Sequence, residues 1–574
     1  MNVTRPSSVS HRERPSKLVK QMREMEQPVN TTGLLRKRAS LALALCSATL
    51  LWLSFYPMNF GFLGWVALVP LLFLTQNERP WRSSLWASWI GGLAFCLVSY
   101  QWIRVASLPM YATWIGLALM MSLQFPLFIW SVRRLTHMLG MPLALAAPVS
   151  WTALEFFRAI IGIGFAWYYL GHTQHEVLPL IQFSDLTGAY GVSFLLVLAN
   201  VALFELIIKR NQLGWRRFPA SAPITLLLIA AAAAYGHWRL GEAEFKPGPR
   251  LALIQGNLEQ DIRNDPNQTQ TTNLHYRDLA MEAAKVHADL IVCPETAWAL
   301  WYSVIEKSAP AELITGDWRQ WAANTAKFRT DFAAGLRADF LFGMTMERLT
   351  RSGATKYNAA VHIGADGEEK GWYAKMYLLP FGEYIPLKKS LPFMNALSPY
   401  DFEYSTEAGQ DFTIFSVKGY PFAALICYED TVPHLAREYL RLPVRPAFFV
   451  NISNDGWFKG WEEHEQHLVS ARFRAIECRR AIARSVNMGV SCVIDGNGQV
   501  IALPKGATTF SQAKAIPAVI DAVIPIDGRE SWYARLGDWL PVWCWVVVFG
   551  GLAAALWKAR REELLGPAAT ANPV

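Results

Sequence analysis

Phe422-Ala423-Ala424-Leu425-Ile426-Cys427-Tyr428-Glu429-Asp430 is a run of five apolar residues that ends in a thiol, a tyrosine and two carboxylates. The apolar part has the length of a buried strand. Packing alone gives little reason to end such a strand on a cysteine beside acids, so Cys427 reads as a chemical group. Two other stretches stop the same way. Leu290-Ile291-Val292-Cys293 runs into Pro294-Glu295, and Lys370-Gly371-Trp372-Tyr373-Ala374 runs into Lys375. If the three strands share a sheet, an acid, an amine and a thiol converge at its edge, where open α/β sheets place their sites. Such a trio is a nucleophile with a base and a cationic stabiliser.

Outward from this trio, strand and helix patterns alternate. Strands are expected at Arg250–Gln255, Phe340–Gly343, Asn358–Ile363, Ala447–Ile452, Ser491–Ile494 and Gln499–Ala502. Helices are expected over about 268–288, 318–337 and 464–484, the last with Val469, Phe473 and Ile476 on one face. Ala365-Asp366-Gly367 and Asp495-Gly496-Asn497-Gly498 are hairpin turns. The pattern predicts a layered α/β domain over residues 237–536. Within it, His464-Glu465-Gln466-His467 sets two imidazoles at i and i+3 beside Glu462 and Glu463. Zinc-protease helices need i and i+4, so these read as solvated histidines near a helix start, and no metal is expected.

The rest of the chain is too apolar for a soluble protein. Of 574 residues 52% are hydrophobic, with 24 Trp and 31 Phe, and the apolar residues crowd into 38–236 and 537–557. Seven runs, centred on 39–56, 59–75, 84–102, 110–131, 139–157, 189–208 and 219–236, approach or reach the roughly 20 residues that cross a bilayer as a helix. An eighth covers 537–557. Residues 1–38 form a basic tail with the composition of a disordered segment, and 558–574 form a second tail. With the N-terminus inside, inner segments carry 20 Lys and Arg, whereas the short outer loops carry only Arg104 and Arg158. That asymmetry places both tails in the cytoplasm and residues 237–536 outside it. The net charge of +8 is thereby a topology signal, and no nucleic-acid partner is expected. The external stretch 158–188 is rich in aromatic residues, as an interfacial belt would be, with a lipid-gripping floor as the second reading. Residues 387–404, with Phe393 and Met394, suggest an arm resting on the bilayer. The seven cysteines have no spacing that resembles a disulfide framework or a zinc ribbon.

Glu295, Lys375 and Cys427, in that chain order at strand ends, resemble the nitrilase or carbon–nitrogen hydrolase superfamily, which implies an αββα sandwich. The resemblance narrows along the chain. Tyr373-Ala374-Lys375-Met376-Tyr377-Leu378-Leu379-Pro380-Phe381-Gly382-Glu383-Tyr384-Ile385-Pro386 is similar to the lysine motif of bacterial apolipoprotein N-acyltransferases. So are Ile426-Cys427-Tyr428-Glu429, Ser453-Asn454-Asp455-Gly456-Trp457-Phe458 and Ala471-Arg472-Phe473-Arg474-Ala475-Ile476-Glu477. The plan of eight crossings with one external domain matches that family too.

The resemblance implies roles. Cys427 is the acylated nucleophile, Glu295 the base, Lys375 the oxyanion stabiliser and Glu383 a second acid, while Tyr428 and Glu429 support the cysteine loop. It implies transfer of an acyl chain from a phospholipid, through a thioester, to the N-terminal amine of an S-diacylglyceryl-cysteine apolipoprotein. The enzyme would act as a monomer in the bacterial inner membrane, with its catalytic domain on the periplasmic side and no cofactor. Three positions depart from the family's common pattern: Asn264 stands where a tryptophan is common, Ala166 where a proline is, and Cys293 where a bulkier residue is frequent. Two other readings are a membrane-tethered amidase whose acceptor is water and a catalytically silent lipid- or lipoprotein-binding protein.

Overall fold

Two hydrophobic patterns, long continuous runs and short alternating ones, build two parts of the molecule. The computed structural model describes residues 31–76, 79–161, 164–213, 218–385, 388, 390–391, 394 and 406–565. Of the expected arm over 387–404, only Lys388, Ser390, Leu391 and Met394 lie among these, and Phe393 lies outside them.

The continuous runs are helices. Among the described residues, five are long and apolar enough to cross a membrane: Met110–Leu139, Leu143–Ile160, Ala189–Ile208, Ser221–Gly241 and Trp539–Arg561. Helices Thr31–Ser54 and Trp81–Ser99 pack beside them. The run at 59–75 is instead broken into Gly61–Trp65, Val69–Leu72 and Phe73–Thr75. Pro70 interrupts the backbone ladder there, and Asn200 bonds groups left free by the break: its Nδ2 donates to Gly64 O at 2.9 Å and its Oδ1 accepts from Leu68 N at 2.8 Å. The bundle has two distinct ends. At one, Arg133 donates to the carbonyls of Leu74 and Gln76 at 3.1 and 2.7 Å, Arg79 to Ser40 Oγ at 3.1 Å, and Lys558 to Met138 O at 3.1 Å. At the other, Asn59, Gln174 and His175 tie the start of the broken run to the loop that meets the α/β domain.

The alternating runs form two sheets. The strands are β1 (Phe245–Gln255), β2 (Leu290–Val292), β3 (Tyr302–Ile305), β4 (Phe340–Thr350), β5 (Gly353–Ile363), β6 (Glu369–Ala374), β7 (Phe415–Val417), β8 (Tyr420–Ile426), β9 (Phe448–Ser453), β10 (Ala481–Val486), β11 (Cys492–Ile494), β12 (Val500–Ala502) and β13 (Ala518–Asp527). One sheet has the order β13-β1-β2-β4-β5-β6, with β3 on β4, and the other β12-β11-β10-β9-β8-β7. Leu251, Leu253, Leu290, Val292 and Leu341 of the first sheet share a core with Phe422, Ala424, Phe448, Val450 and Ile482 of the second. On its outer face the first sheet turns Ile254, Ile291, Phe340 and Phe342 towards Tyr276, Leu279 and Ala283 of helix Thr269–Ala284. The result is the expected αββα sandwich.

Helix Glu463–Cys478 covers the second sheet, and every one of its residues is buried. Leu468, Ala471 and Ala475 face the sheet, whereas Val469, Phe473 and Ile476 join the core of the membrane domain. This changes two expectations. The helix stops at Cys478, not near 484, because Arg479 enters the left-handed region at φ 49° and the chain returns as β10. His464 and His467 are 0% and 1% exposed, so they are not solvated: the membrane domain covers the helix face that water would otherwise reach. The same packing corrects the belt reading of 158–188. Residues 165–175 are buried, with Trp167 against His467 and His172 against Phe473.

Candidate active site

Glu295, Lys375 and Cys427 stand just past the ends of β2, β6 and β8. β2 and β6 lie in the first sheet and β8 in the second, so the trio meets where the two sheets' strand ends converge and not along one sheet's edge. The geometry centres on the amine. Lys375 Nζ lies 3.3 Å from Glu295 Oε1 and 2.8 Å from Glu383 Oε2, and the lysine is 1% exposed. Asn358, on β5, donates through Nδ2 to Oε1 of both acids at 2.6 Å, so one amide and one ammonium hold the two carboxylates apart. Backbone N–H groups add to this: Asn454 N donates to Glu295 Oε2 at 3.0 Å, and Leu379 N to Glu383 Oε2 at 2.7 Å. Charge-assisted bonds of this kind fix a side chain's direction better than neutral ones.

Cys427 sits on a sharp turn. Its φ of 55° is in the left-handed region, a conformation that costs a non-glycine residue about 1–3 kcal/mol and persists where its surroundings impose it. Asn451 Nδ2 donates to the Cys427 carbonyl at 2.9 Å. Glu429 does more: it accepts from the N–H groups of Ile426, Met376 and Tyr377 at 2.7, 2.8 and 3.0 Å and from Tyr373 Oη at 3.0 Å. One buried carboxylate thus ties the cysteine turn to the segment that carries Lys375. Burial pushes Glu429 up to about 7, against those donors. Tyr428 donates to Leu378 O at 2.9 Å and offers its ring to Lys375 Nζ at 5.6 Å.

The charges set the resting state. Burial pushes the Cys427 thiol well above its usual range, Glu295 adds to that, and Lys375 opposes both. Burial would lower the Lys375 ammonium, but the neighbouring Cys427, Glu295 and Glu383 outweigh it and hold the amine well above its ordinary value. The site therefore rests as ammonium and thiol, and attack by sulfur requires a base to take the thiol proton as the bond forms.

All six expected site residues come together here. Sequence reasoning missed Asn358, Asn451, Asn454 as a backbone donor, and the buried group Asp430, Asp455, Glu463, His467 and Arg484 behind Cys427. The motif Ser453-Asn454-Asp455 was in view, but the partners come from four separate segments and share no spacing.

The acid–amine–thiol arrangement on an αββα sandwich defines a nitrilase-like thiol enzyme, here seated on a bundle of membrane helices. The carbon-nitrogen hydrolase family matches residues 250–524, and the apolipoprotein N-acyltransferase N-terminal domain matches residues 47–202. A protein from Geobacter metallireducens called apolipoprotein N-acyltransferase is 33% identical over 92% of this chain and 96% of its own. One of the same name from Azotobacter vinelandii is 32% identical over 92% and 97%. The chain belongs to the apolipoprotein N-acyltransferase family. Among solved structures it is similar to an amidase from Nesterenkonia sp., 16% identical, with a TM-score of 0.34 over 52% of this chain and 98% of that one.

Proposed function

We propose that the protein N-acylates lipoproteins in two half-reactions at Cys427. In the first, Cys427 Sγ attacks the ester carbonyl of a phospholipid while Glu295 takes the thiol proton. Lys375 stabilises the oxyanion, and the departing alkoxide receives the proton as lysophospholipid leaves. In the second, the free α-amine of an S-diacylglyceryl cysteine attacks the thioester, Glu295 takes the amine proton and passes it to the leaving sulfur, and an amide forms. Splitting the transfer keeps the acyl group activated between donor and acceptor. Glu383 holds Lys375, and Tyr428 and Glu429 hold the cysteine turn.

The observation that carries this reading over a water-using amidase is what the loops around the site pack against. Phe381, Tyr428, Phe458 and Trp461, from the loops around the triad, pack against the apolar core of the membrane domain. A site lined this way faces acyl chains, and an amidase acting on soluble substrates would have no use for it.

The two ends of the bundle support a topology. The end bearing Arg79, Arg133 and Lys558 is cytoplasmic by the positive-inside rule, which puts the sandwich across the inner membrane on the periplasmic side. Counting the broken 59–75 run, the chain crosses eight times and acts as a monomer. A reporter active only in the cytoplasm, fused near residue 350, will be silent, and activity there reverses the topology.

The chemistry is tested by incubating the protein with phospholipid alone. Intact mass will rise by one fatty acyl group, and neutral hydroxylamine will remove it. Cys427→Ala will abolish the adduct, and Glu295→Gln will slow it on the order of 10²–10⁴-fold. A diacylglyceryl peptide with a free amine will discharge the adduct, and its N-acetylated form will not. Steady fatty-acid release without an adduct means a hydrolase, and neither product means a silent binder.

A further inference from the structure

Behind the triad lies a second cation held between two carboxylates. His467 Nε2 is 2.8 Å from Asp430 Oδ1, and its Nδ1 is 3.3 Å from both Asp455 oxygens and 3.6 Å from Glu463 Oε1. Each partner sits on a segment that carries part of the site. Asp430 follows Cys427 by three residues. Asp455 follows Asn454, whose N–H orients Glu295, and Asp455 itself accepts from Ser453 Oγ at 2.6 Å. The Trp167 ring, from the membrane-domain loop, covers the imidazole at 5.4 Å between centroids. Arg484 of β10 pairs with Asp430, and His464 faces the Asp455 carbonyl at 2.9 Å.

We propose that protonated His467 is a positioning residue, an ionic clamp that locks the Cys427 turn to the loop orienting Glu295 and sets both in register with the membrane-domain loop at Trp167. The proposal rests on the roles given above to Cys427 and Glu295. The charges close. Asp430 and Asp455 balance His467 and Arg484 provided Glu463 is neutral, and burial does push Glu463 well above its usual range. Burial works against a charged His467, but Asp430 and Asp455 outweigh it and lift the imidazole to about 10. A buried ion pair of this kind adds less to stability than to specifying one arrangement. Here the arrangement is of two loops whose catalytic groups must meet within a fraction of an ångström.

Asp455, Glu463 and His467 also bring one ligand atom each within 4.8 Å of one another, as a divalent cation would need. The two uses exclude each other, because a ligand imidazole offers a lone pair from Nδ1 and the clamp requires a proton there.

The test uses the full-length protein in a detergent without acyl esters, cleared of any bound acyl group with neutral hydroxylamine, and follows iodoacetamide labelling of Cys427 by peptide mass. His467→Gln will slow labelling at pH 8 by about 10- to 100-fold, the scale of a small misplacement of reacting groups. Asp455→Asn will do the same, and the double variant will be no slower than either single one. The second readout is thermal stability against pH. A group whose folded pKa is raised contributes fully below its unfolded value and loses the contribution as pH rises through the folded one. Wild-type Tm will therefore fall as pH rises from about 6.5 to about 10, and His467→Arg, charged throughout, will lack that limb. Labelling needs neither acyl donor nor acceptor, so it reports on the clamp even if the lipid experiment finds no thioester. Wild-type labelling rates in both His467→Gln and Asp455→Asn overturn the proposal. So does an unchanged alkaline limb in His467→Arg, or one equivalent of divalent metal in the purified protein. If His467→Gln does not fold, Asp455→Asn and Trp167→Leu carry the labelling arm, and normal rates in both overturn it equally.

Discussion

Lys375 and His467 are two buried cations, each set between a pair of carboxylates, and they differ in what surrounds them. Lys375 lies between Glu295 and Glu383, in front of a half-buried thiol, with an Asn358 amide shared by both acids. His467 lies between Asp430 and Asp455, closed in by Arg484, Glu463 and the Trp167 ring. The first cluster has a side that water reaches, at half-buried Cys427 and Glu383. The second has none. On the proposed reading, the same electrostatic device does chemistry where it borders a half-buried thiol and holds geometry where it is sealed.

The largest expected effect is at Lys375. Lys375→Met keeps the volume but leaves Glu295 and Glu383 facing each other with only the Asn358 amide between them. Thioester formation should fall at least on the order of 10²–10³-fold, the cost of losing an oxyanion stabiliser. Stability should fall by about 3–5 kcal/mol, as when one partner of a buried pair is removed. Burst kinetics and denaturant melts separate the two losses. If His467→Gln proves equally damaging to acylation, the distinction between a working and a holding cation disappears.

Much of the front cluster was legible from the chain alone. Glu295, Lys375 and Cys427 each close an apolar run, and Glu383 follows the lysine through a Pro-Phe-Gly turn. The back cluster was not legible, because Asp430, Asp455, His467 and Arg484 are joined only by the docking of the second sheet, its helix and the membrane loop. The histidines looked solvated since nothing in their spacing announces that a membrane domain will cover the helix. Four strands escaped, β10 because the expected helix over 464–484 ran into it and the other three for local reasons. β13 contains Pro525, which weakens a strand pattern, and the structure places it at a sheet edge where proline is tolerated. β3 and β7 are four and three residues long, too short for alternation to register. Arg479 ended a helix without the glycine or proline that would have signalled it.

A middle-sized effect is expected at Glu429, which joins the cysteine turn to the Lys375 segment. Its folded pKa of about 7 stands above the unfolded value, so the native state binds the extra proton between about pH 4.5 and pH 7. Stability from this group is therefore lost as pH rises through that window. Tm should be lower at pH 8 than at pH 5.5, and Glu429→Gln should flatten this slope. The amide also turns one donor towards backbone N–H groups that now meet an oxygen, at a cost of about 1–3 kcal/mol. A Tm–pH slope equal in both proteins would show that Glu429 is not the group responsible.

The smallest effect marks how far the front cluster extends. Asn264, where the family commonly has tryptophan, is exposed, and its Oδ1 accepts from Gln260 Nε2 at 2.8 Å. Gln260 Oε1 in turn accepts from Asn454 Nδ2 at 2.7 Å, and the Asn454 N–H holds Glu295. A path of three bonds thus runs from the surface to the proposed base, Glu295. Asn454 is also gripped by Asn487, whose Nδ2 donates to its Oδ1 at 2.8 Å, so the path has a second anchor nearer the site. Asn264→Ala should then change stability by no more than about 0.5 kcal/mol, as surface substitutions usually do. Phospholipid-dependent acylation should stay near wild type, because Gln260 keeps Asn454 and Asn454 keeps Glu295. Single-turnover acylation and a denaturant melt check both numbers. A tenfold slower acylation at unchanged stability would show that the base is positioned from the surface inward. The open cluster would then depend on its outermost bond, as the closed one depends on its innermost.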